Sequence, residues 1–317
     1  MSASLATSKN VRLLTCTVIG LVALSACTAS RAVPADPAVP LTSVREMTDK
    51  EARTLWDAEQ ILTRDCMAGH GFAYWPAPYD PIPDDRDFPY VVDDPAWARR
   101  HGYGGDIREQ IDRLRERNPN RRYLDGLPPE RRRAAFVAIN GEGPRPGTRT
   151  RGPDEVEARL PEGGVVRRSA VSCTSQAQRR LYGDLPTWYR VAKVTEYLKD
   201  AARARVTRDP RYTTAISTWS ACMRGRGHPY GTPPEARAKV TQLEATAPST
   251  RKAREKEIRT AVAEATCARE TNLPAVIGVL EREHTRALSE RYRLDVTTAW
   301  RMRRDALPRA AEITARH

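Results

Sequence analysis

The chain lacks most of the patterns from which enzyme chemistry can be recognised. Its five histidines are dispersed, and it has no Cys-x-x-Cys, His-Glu-x-x-His or EF-hand spacing, so no metal site is predicted. The phosphate-binding P-loop, the dinucleotide-binding glycine fingerprint and the Gly-x-Ser-x-Gly motif of serine hydrolases are also missing. The sequence therefore predicts no catalytic residues, no metal ligands and no cofactor.

Lysine is scarce, although the chain is strongly basic. Only seven of its 53 basic residues are Lys, the rest being Arg, and the formal net charge is +13. An Arg bias of this kind is typical of proteins encoded by GC-rich genomes. It also favours attraction to anionic polymers or lipid head groups. The composition leaves both interpretations open.

Residues 1–26 have the pattern of a bacterial secretory signal. Two basic residues precede an apolar run from Leu13 to Leu24, which is too short to remain as a membrane-spanning helix. The run ends in Leu24-Ser25-Ala26-Cys27, which resembles the lipobox of bacterial lipoproteins. This pattern predicts cleavage before Cys27 and attachment of diacylglycerol to its sulfur. Ordinary cleavage that leaves Cys27 as a free thiol is the alternative.

Lipidation predicts a position on the outer face of the bacterial cytoplasmic membrane, with the lipid bilayer as a partner through Cys27. Residues 27–43 are mostly small and are interrupted by prolines, which is typical of a flexible tether. No later stretch has 18 or more consecutive apolar residues, so we expect the body that follows to be soluble.

A nine-residue pattern occurs twice in the body. Residues 66–74 read Cys-Met-Ala-Gly-His-Gly-Phe-Ala-Tyr, and residues 222–230 read Cys-Met-Arg-Gly-Arg-Gly-His-Pro-Tyr. Cys, Met, both Gly and Tyr recur at the same spacing, which indicates an internal duplication. In each copy we expect a helix that carries an inward Cys and is ended by the glycines.

Apolar residues at spacings of three and four predict helices along most of the body. A capping box, Thr48 to Glu51, starts the first helix. Leu55, Ala58 and Leu62 are predicted to share its buried face with Cys66, and Ala215 and Thr218 to share the equivalent face with Cys222. Further helices are predicted at 105–117, 129–139, 165–182, Leu185 to Arg205, 234–246 and 251–271, with a last helix of about 30 residues from Leu273 to Met302.

No segment alternates convincingly between apolar and polar residues, so no strand is predicted. We therefore predict an all-α fold of two disulfide-stapled helical repeats with irregular Pro-rich loops and a long C-terminal helix. The first helical half covers 44–184, a connecting helix covers 185–208, and the second half covers 209–317.

Four cysteines remain after the signal and the lipidated residue are set aside. An even number in an exported chain predicts disulfides, and four cysteines allow three pairings. The duplication favours one of them, because each motif Cys is followed by a second Cys later in its own half. The predicted pairs are Cys66–Cys173 and Cys222–Cys267; the alternative is that all four remain reduced and buried.

Between the two copies, residues 72–95 combine many prolines with aromatic residues, which favours an ordered, irregular loop. We predict that its aromatic side chains form a ligand-contact surface: Tyr74, Trp75, Tyr79, Phe88 and Tyr90. The same loop contains several aspartates. Two carboxylates with separated pKa values can act as general acid and base, so an alternative prediction is a glycan-acting hydrolase that uses carboxylates of residues 80–94.

The chain resembles a group of secreted actinobacterial lipoproteins. The resemblance rests on the lipobox, on the Trp56 to Gly71 helix end, on the segment from Cys173 to Asp184, and on Trp219 to Met223 followed by Cys267. It implies a helical, disulfide-held, surface-anchored protein and brings no known reaction.

The sequence thus favours a non-enzymatic binding or interaction module at the cell envelope. Its expected partners beyond the bilayer are an anionic cell-wall polymer or an envelope protein. Export argues against nucleic acid as a partner.

Overall fold

The computed structural model describes residues 40–143, 152–246 and 251–317. The predicted all-α class is confirmed, because helices account for most of these residues. The helices are α1 (Asp49–Gly69), α2 (Pro95–His101), α3 (Gly105–Arg117), α4 (Pro119–Asp125), α5 (Pro129–Asn140), α6 (Cys173–Tyr182), α7 (Leu185–Arg208), α8 (Pro210–Gly225), α9 (Pro233–Thr246), α10 (Arg251–Glu270), α11 (Leu273–Arg291) and α12 (Arg293–Ala315).

The helix starts follow their local sequence. Thr48 forms the predicted capping box, in which the Glu51 amide donates to Thr48 Oγ1 at 3.3 Å and the Thr48 amide donates to the Glu51 carboxylate at 2.9 Å. Asp209 caps α8, which begins with Pro210. Both caps satisfy backbone donors that have no partner inside the helix.

The two copies of the duplicated motif fold into the same turn. The Phe72 amide donates to the Met67 carbonyl at 3.0 Å, and the His228 amide donates to the Met223 carbonyl at 2.9 Å. This bond is the long bond of a Schellman motif, which needs a left-handed residue just before its donor. Those residues are Gly71 (φ +75°) and Gly227 (φ +78°). The glycines therefore have the capping role that the sequence indicated.

The prediction that the body contains no strand is wrong. A short antiparallel hairpin joins β1 (Glu155–Arg159) to β2 (Val165–Ser169), where a helix was expected from residue 165. Gly163 and Gly164 both have positive φ and form the turn. Val156 and Ala158 alternate inward along β1, but five residues are too few for the alternation to outweigh a helical pattern.

Two further predictions about helices are corrected. The expected single C-terminal helix is divided at Tyr292, whose backbone leaves the helical region, into α11 and α12. In α8, Thr218 is exposed, so the predicted face through Ala215 and Thr218 is not the buried one. Large side chains that the spacing argument passed over face the core instead: Tyr212, Ile216, Trp219 and Met223.

The two sequence halves exchange elements. α12, from the second half, packs against α1, α6 and α7 of the first half and the connecting segment. The loop before α2, from the first half, contributes Tyr90 and Val91 to a core with Trp219 and Met223. The described residues accordingly belong to one compact unit, Ala38–His317.

Both predicted disulfides are confirmed. Cys66–Cys173 has a Cα–Cα distance of 5.5 Å, and Cys222–Cys267 has one of 5.7 Å. They close separations of 107 and 45 residues. In the loop-entropy description each stabilises the fold by about 4 to 5 kcal/mol.

The predicted signal peptide, the lipidation site Cys27 and the tether up to residue 39 lie outside the described residues. Within the described part of the chain, none of the helices combines the length and apolar character that crossing a membrane requires.

Candidate functional site

The structure divides the five aromatic residues predicted as a contact surface. Tyr90 is 5% exposed and lies in the core beside α8, so it is not available at the surface. Phe88 is half-buried, with its ring centroid 4.7 Å from that of Trp97. Tyr74 is partly buried against the cluster that contains Met67 and Phe72. Tyr79 is partly buried, and Trp75 is 42% exposed.

The segment between α1 and α2 has no helix or strand, as predicted, and one side chain of α1 binds its first part. Gln60 Oε1 accepts hydrogen bonds from the Tyr74 hydroxyl at 2.8 Å and from the Ala77 amide at 3.1 Å. The indole N–H of Trp56 donates to the Ala77 carbonyl at 2.8 Å. Residues 74–77 are therefore held against α1 through both main chain and side chains.

A second side chain, from α4, fixes Trp75. The Trp75 amide donates to Asn120 Oδ1 at 2.9 Å, and Asn120 Nδ2 donates to the Trp75 carbonyl at 2.7 Å. This paired contact leaves the main chain of Trp75 fully bonded. The Trp75 ring meets the ring of Tyr123 edge to face, with centroids 5.7 Å apart, which is a favourable aromatic geometry.

Trp56 extends this surface along α1. Its ring meets Tyr79 at a centroid distance of 6.4 Å, and the guanidinium of Arg53 lies 5.2 Å from the Tyr79 ring centroid. Trp56 is 39% exposed. We name Arg53, Trp56 and Tyr79 together with Trp75 and Tyr123 the aromatic ledge, because residues 75–79 of the loop connect these two groups of side chains. It presents two half-exposed indoles whose supporting backbone is hydrogen-bonded in place.

The sequence interpretation missed part of the ledge. Trp56 does not belong to the buried stripe of α1. A Trp on the exposed face of an amphipathic helix could have indicated a contact surface from the sequence. Tyr123 and Asn120 lie on α4, a seven-residue helix that the sequence pattern did not reveal. Their contacts with Trp75 join residues 45 and 48 apart in the chain and have no local signature.

Three of the six aspartates of residues 80–94 pair with arginines: Asp84, Asp87 and Asp94. Asp94 caps α2 and pairs with Arg86 at 2.7 Å, and its hydrogen bonds to the Trp97 amide and to Arg86 lower its pKa to about 2. Asp87 pairs with Arg203 at 3.0 Å. A general acid near neutral pH needs a raised pKa, so Asp94 does not meet this requirement.

Two carboxylates that the sequence did not single out are buried on α10. We name Glu257 and Glu264 the carboxylate clasp, because both bind the main chain of the segment before α3. Glu264 accepts from the Val92 amide at 2.8 Å and from the Tyr103 hydroxyl at 2.6 Å. Glu257 accepts from the Tyr103 amide at 2.6 Å.

The surroundings of Glu264 shift its own pKa and that of the neighbouring Tyr103. Burial raises the pKa of Glu264, and the guanidinium of Arg237, 3.2 Å away, opposes that rise. Burial and the neighbouring Glu264 carboxylate raise the pKa of Tyr103. Both glutamates are completely buried, so a substrate could not reach them. Their role is to hold the segment in position.

The described residues offer no thiolate for a metal. Two groups of three potential ligands converge, Cys66 with His70 and Cys173, and Cys222 with Cys267 and Glu270. In each group the two sulfurs are bonded to one another in a disulfide, and a disulfide sulfur is not the ionised ligand that zinc or iron prefers.

Among the depressions on the described surface, two have volumes of about 290 and 280 Å³. Arg190, Asp295 and Tyr292 are among the residues that line the first, and Asp65, Cys66 and Arg180 among those that line the second. The charges of the first are already paired, because Arg190 forms a close ion pair with Asp295. Neither depression includes the aromatic ledge. Comparison of the chain with known protein families, curated proteins and solved structures gave no match, so the ledge and its contacts are the basis for proposing a function.

Proposed function

We propose that the protein is a non-enzymatic binding module, anchored through Cys27 to the outer face of the bacterial cytoplasmic membrane, and that the aromatic ledge is its contact surface. The observation that carries this proposal is the pair of half-exposed tryptophans on a backbone fixed by Gln60 and Asn120. The lipobox and the resemblance to secreted actinobacterial lipoproteins support the location.

The composition of the ledge suits a binding surface. Trp, Tyr and Arg are the residues most enriched where truncation costs the most binding energy. The hydrogen bonds from Gln60 and Asn120 fix the rings before a partner arrives, which lowers the entropy lost on binding. Its partner is an anionic wall polymer or an envelope protein. Arg53 suits either one, since it has no carboxylate partner in the described part of the chain.

The alternative, a glycan-acting hydrolase, has little physical support at the predicted place. Asp84, Asp87 and Asp94 contact arginines, and the pKa of Asp94 is lowered rather than raised. The buried carboxylate with a raised pKa, Glu264, is enclosed by protein. A binding function needs none of these groups.

The test is cosedimentation of residues 40–317 with purified cell-wall sacculi, with and without their anionic polymers, over a salt series. Trp75→Ala and Tyr79→Ala should each weaken capture by roughly tenfold, the size of a typical hot-spot truncation. Trp300→Ala is the matched control, because Trp300 is also partly exposed beneath an arginine, Arg304, on α12.

The melting temperature of each variant separates binding from folding. Because the Trp75 ring is half-exposed, we expect the midpoint of Trp75→Ala to fall by less than about 4 °C. Loss of capture with an unchanged midpoint supports the ledge as the contact surface. Undiminished capture by both ledge variants would refute it. Capture that fades with salt and requires the anionic polymers would identify the polymer as the partner.

A further inference from the structure

The two copies of the duplicated turn differ at one position where their shared geometry predicts an apolar residue. The residue after the left-handed glycine of a Schellman motif usually makes a hydrophobic contact with the helix. In the first copy this residue is Phe72, which is 6% exposed and meets that expectation. In the second copy it is His228, which is only half-buried. A polar, titratable ring at an apolar position points to a role beyond capping.

The hydrogen bonds of His228 determine how its ring is protonated. Its Nδ1 lies 3.5 Å from Thr260 Oγ1 on α10. The Thr260 hydroxyl donates its one proton to the Lys256 carbonyl at 2.9 Å, so only its lone pairs remain for the imidazole. Of the two neutral tautomers, the one with its proton on Nδ1 suits this long contact and leaves the lone pair on Nε2. Nε2 has no hydrogen-bond partner among the residues that the structure describes.

Two cations lie close to Thr260 in the sequence of α10, the helix that the His228 ring contacts. Lys256 lies one helical turn before Thr260, and Arg259 directly precedes it. Both side chains are exposed. Lys256 forms no ion pair with any described carboxylate, whereas Arg259 approaches Glu255 at 3.9 Å. Burial and the charges of Arg259 and Lys256 lower the pKa of His228. The turn thus carries positive charge that is only partly neutralised.

The first copy lacks this arrangement. The guanidinium of Arg131 covers the Phe72 ring at 4.7 Å and donates to the Gly71 carbonyl at 3.2 Å. That cation is engaged by the turn itself. At the position after the left-handed glycine, only the second copy has a titratable ring, so its turn combines the helix cap with a charged surface.

We propose that His228, Lys256 and Arg259 form a binding site for a phosphate-type oxyanion. Arg259 and Lys256 supply the charge-assisted hydrogen bonds that phosphate oxygens favour. The His228 ring contributes once Nε2 takes up a proton, and the bound anion stabilises that protonated form. Anion binding and protonation of His228 are therefore linked. The site lies on the turn after α8 and on α10, and it shares no residue with the aromatic ledge.

Direct titration with inorganic phosphate tests the site on the whole body, residues 40–317. NMR signals of the His228 imidazole give its pKa with and without phosphate, and the shifts give the affinity. The pKa of His228 should rise when phosphate is saturating, and phosphate should bind more tightly as the pH falls through that pKa. The charged groups that act on the His228 ring are Lys256 and Arg259 of α10. The ring of Tyr230, in the same turn as His228, is stacked with it at a centroid distance of 6.4 Å.

The variants separate the site from the fold. His228→Phe restores the residue of the first copy, and Lys256→Gln changes only an exposed side chain. Each should weaken phosphate binding by roughly tenfold, the size expected for one charge-assisted contact. Lys199→Gln is the matched control, because it removes one exposed lysine on α7. Equal affinity of wild type and Lys256→Gln, or a His228 pKa that phosphate does not move, would overturn the proposal.

Two further probes identify the source of the anion. Poly(glycerol phosphate) presents phosphodiesters on a polymer, and phosphatidylglycerol vesicles present them on a bilayer. Binding of either probe by wild type that is lost in Lys256→Gln supports the site, and the probe that binds identifies the source of the anion. Trp75→Ala should leave phosphate affinity unchanged, so failure of the anion site and failure of the ledge give different results.

Discussion

Glu264 is the residue whose removal should most clearly reveal how the body is held together. Its side chain is completely buried and binds the Val92 amide, the Tyr103 hydroxyl and the Arg237 guanidinium at 2.8, 2.6 and 3.2 Å. Glu264→Ala leaves the buried Val92 amide and the partly buried Tyr103 hydroxyl and Arg237 guanidinium without this acceptor. Breaking one side of a buried charged contact costs about 3 to 5 kcal/mol, so we expect the free energy of unfolding to fall by that amount.

Glu264→Gln should cost less, about 1 to 3 kcal/mol, because its side chain keeps one carbonyl acceptor but replaces the other acceptor oxygen with an amide donor. The assay is equilibrium urea unfolding with both disulfides intact, followed by circular dichroism and by tryptophan fluorescence. Coincident transitions justify a two-state free energy. Glu255→Gln, on the exposed side of the same helix, is the control and should change stability by less than about 0.5 kcal/mol. A Glu264→Ala variant within that range of wild type would refute this account.

The pH dependence gives an independent check on Glu264. Burial raises its pKa in the folded protein above that of the unfolded chain, so its contribution is most favourable below the unfolded pKa and is lost as the pH rises through the folded pKa. The stability of wild type relative to Glu264→Gln should therefore decrease as the pH rises from about 4. All other groups are common to both proteins. A difference that grows with pH would contradict the raised pKa.

Three further predictions concern local features. Replacing Cys222 and Cys267 with Ala should lower the free energy of unfolding by about 4 kcal/mol, since the disulfide closes a separation of 45 residues; a urea-measured loss below about 1 kcal/mol would argue against loop closure. Asp94→Ala removes the cap of α2 and should cost about 1 to 2 kcal/mol at neutral pH. Because the Asp94 pKa is about 2, the difference in unfolding free energy between wild type and Asp94→Asn should shrink as the pH falls from about 4 towards that value. A difference that does not depend on pH would contradict the lowered pKa. Gly71→Ala, at φ +75°, should cost about 1 to 2 kcal/mol in thermal unfolding, whereas Gly69→Ala has open space in a helix and should not destabilise; equal effects would contradict the turn assignment.

The features predictable from the sequence are those with local or repeated signals. The capping box at Thr48 requires two side chains three residues apart, and the structure contains it. The disulfide pairing followed from the duplication, because each half repeats the order of a motif Cys and a later Cys. The Schellman turns followed from two glycines placed after a helical stripe.

The remaining features depend on contacts between distant segments. Glu257 and Glu264 are charged residues of a helix, and their sequence pattern resembles that of an exposed face. Only the approach of the chain around Val92 and Tyr103, more than 150 residues earlier, makes them buried acceptors. The ledge likewise depends on Asn120, which reaches Trp75 across 45 residues. The periodicity of a single helix contains no information about such contacts between distant segments.

The most direct test of the ledge is to observe the six tryptophans individually. The protein labelled with 5-fluorotryptophan should give six ¹⁹F signals, which single Trp→Phe substitutions assign. On addition of soluble wall fragments that carry the anionic polymers, we predict that the shifts and broadening are confined to Trp56 and Trp75, the two tryptophans that are about 40% exposed. Trp97, Trp188 and Trp219 are buried and Trp300 lies on α12, so their signals should not change. Binding that perturbs Trp300 and leaves Trp56 and Trp75 unchanged would contradict the ledge as the contact surface.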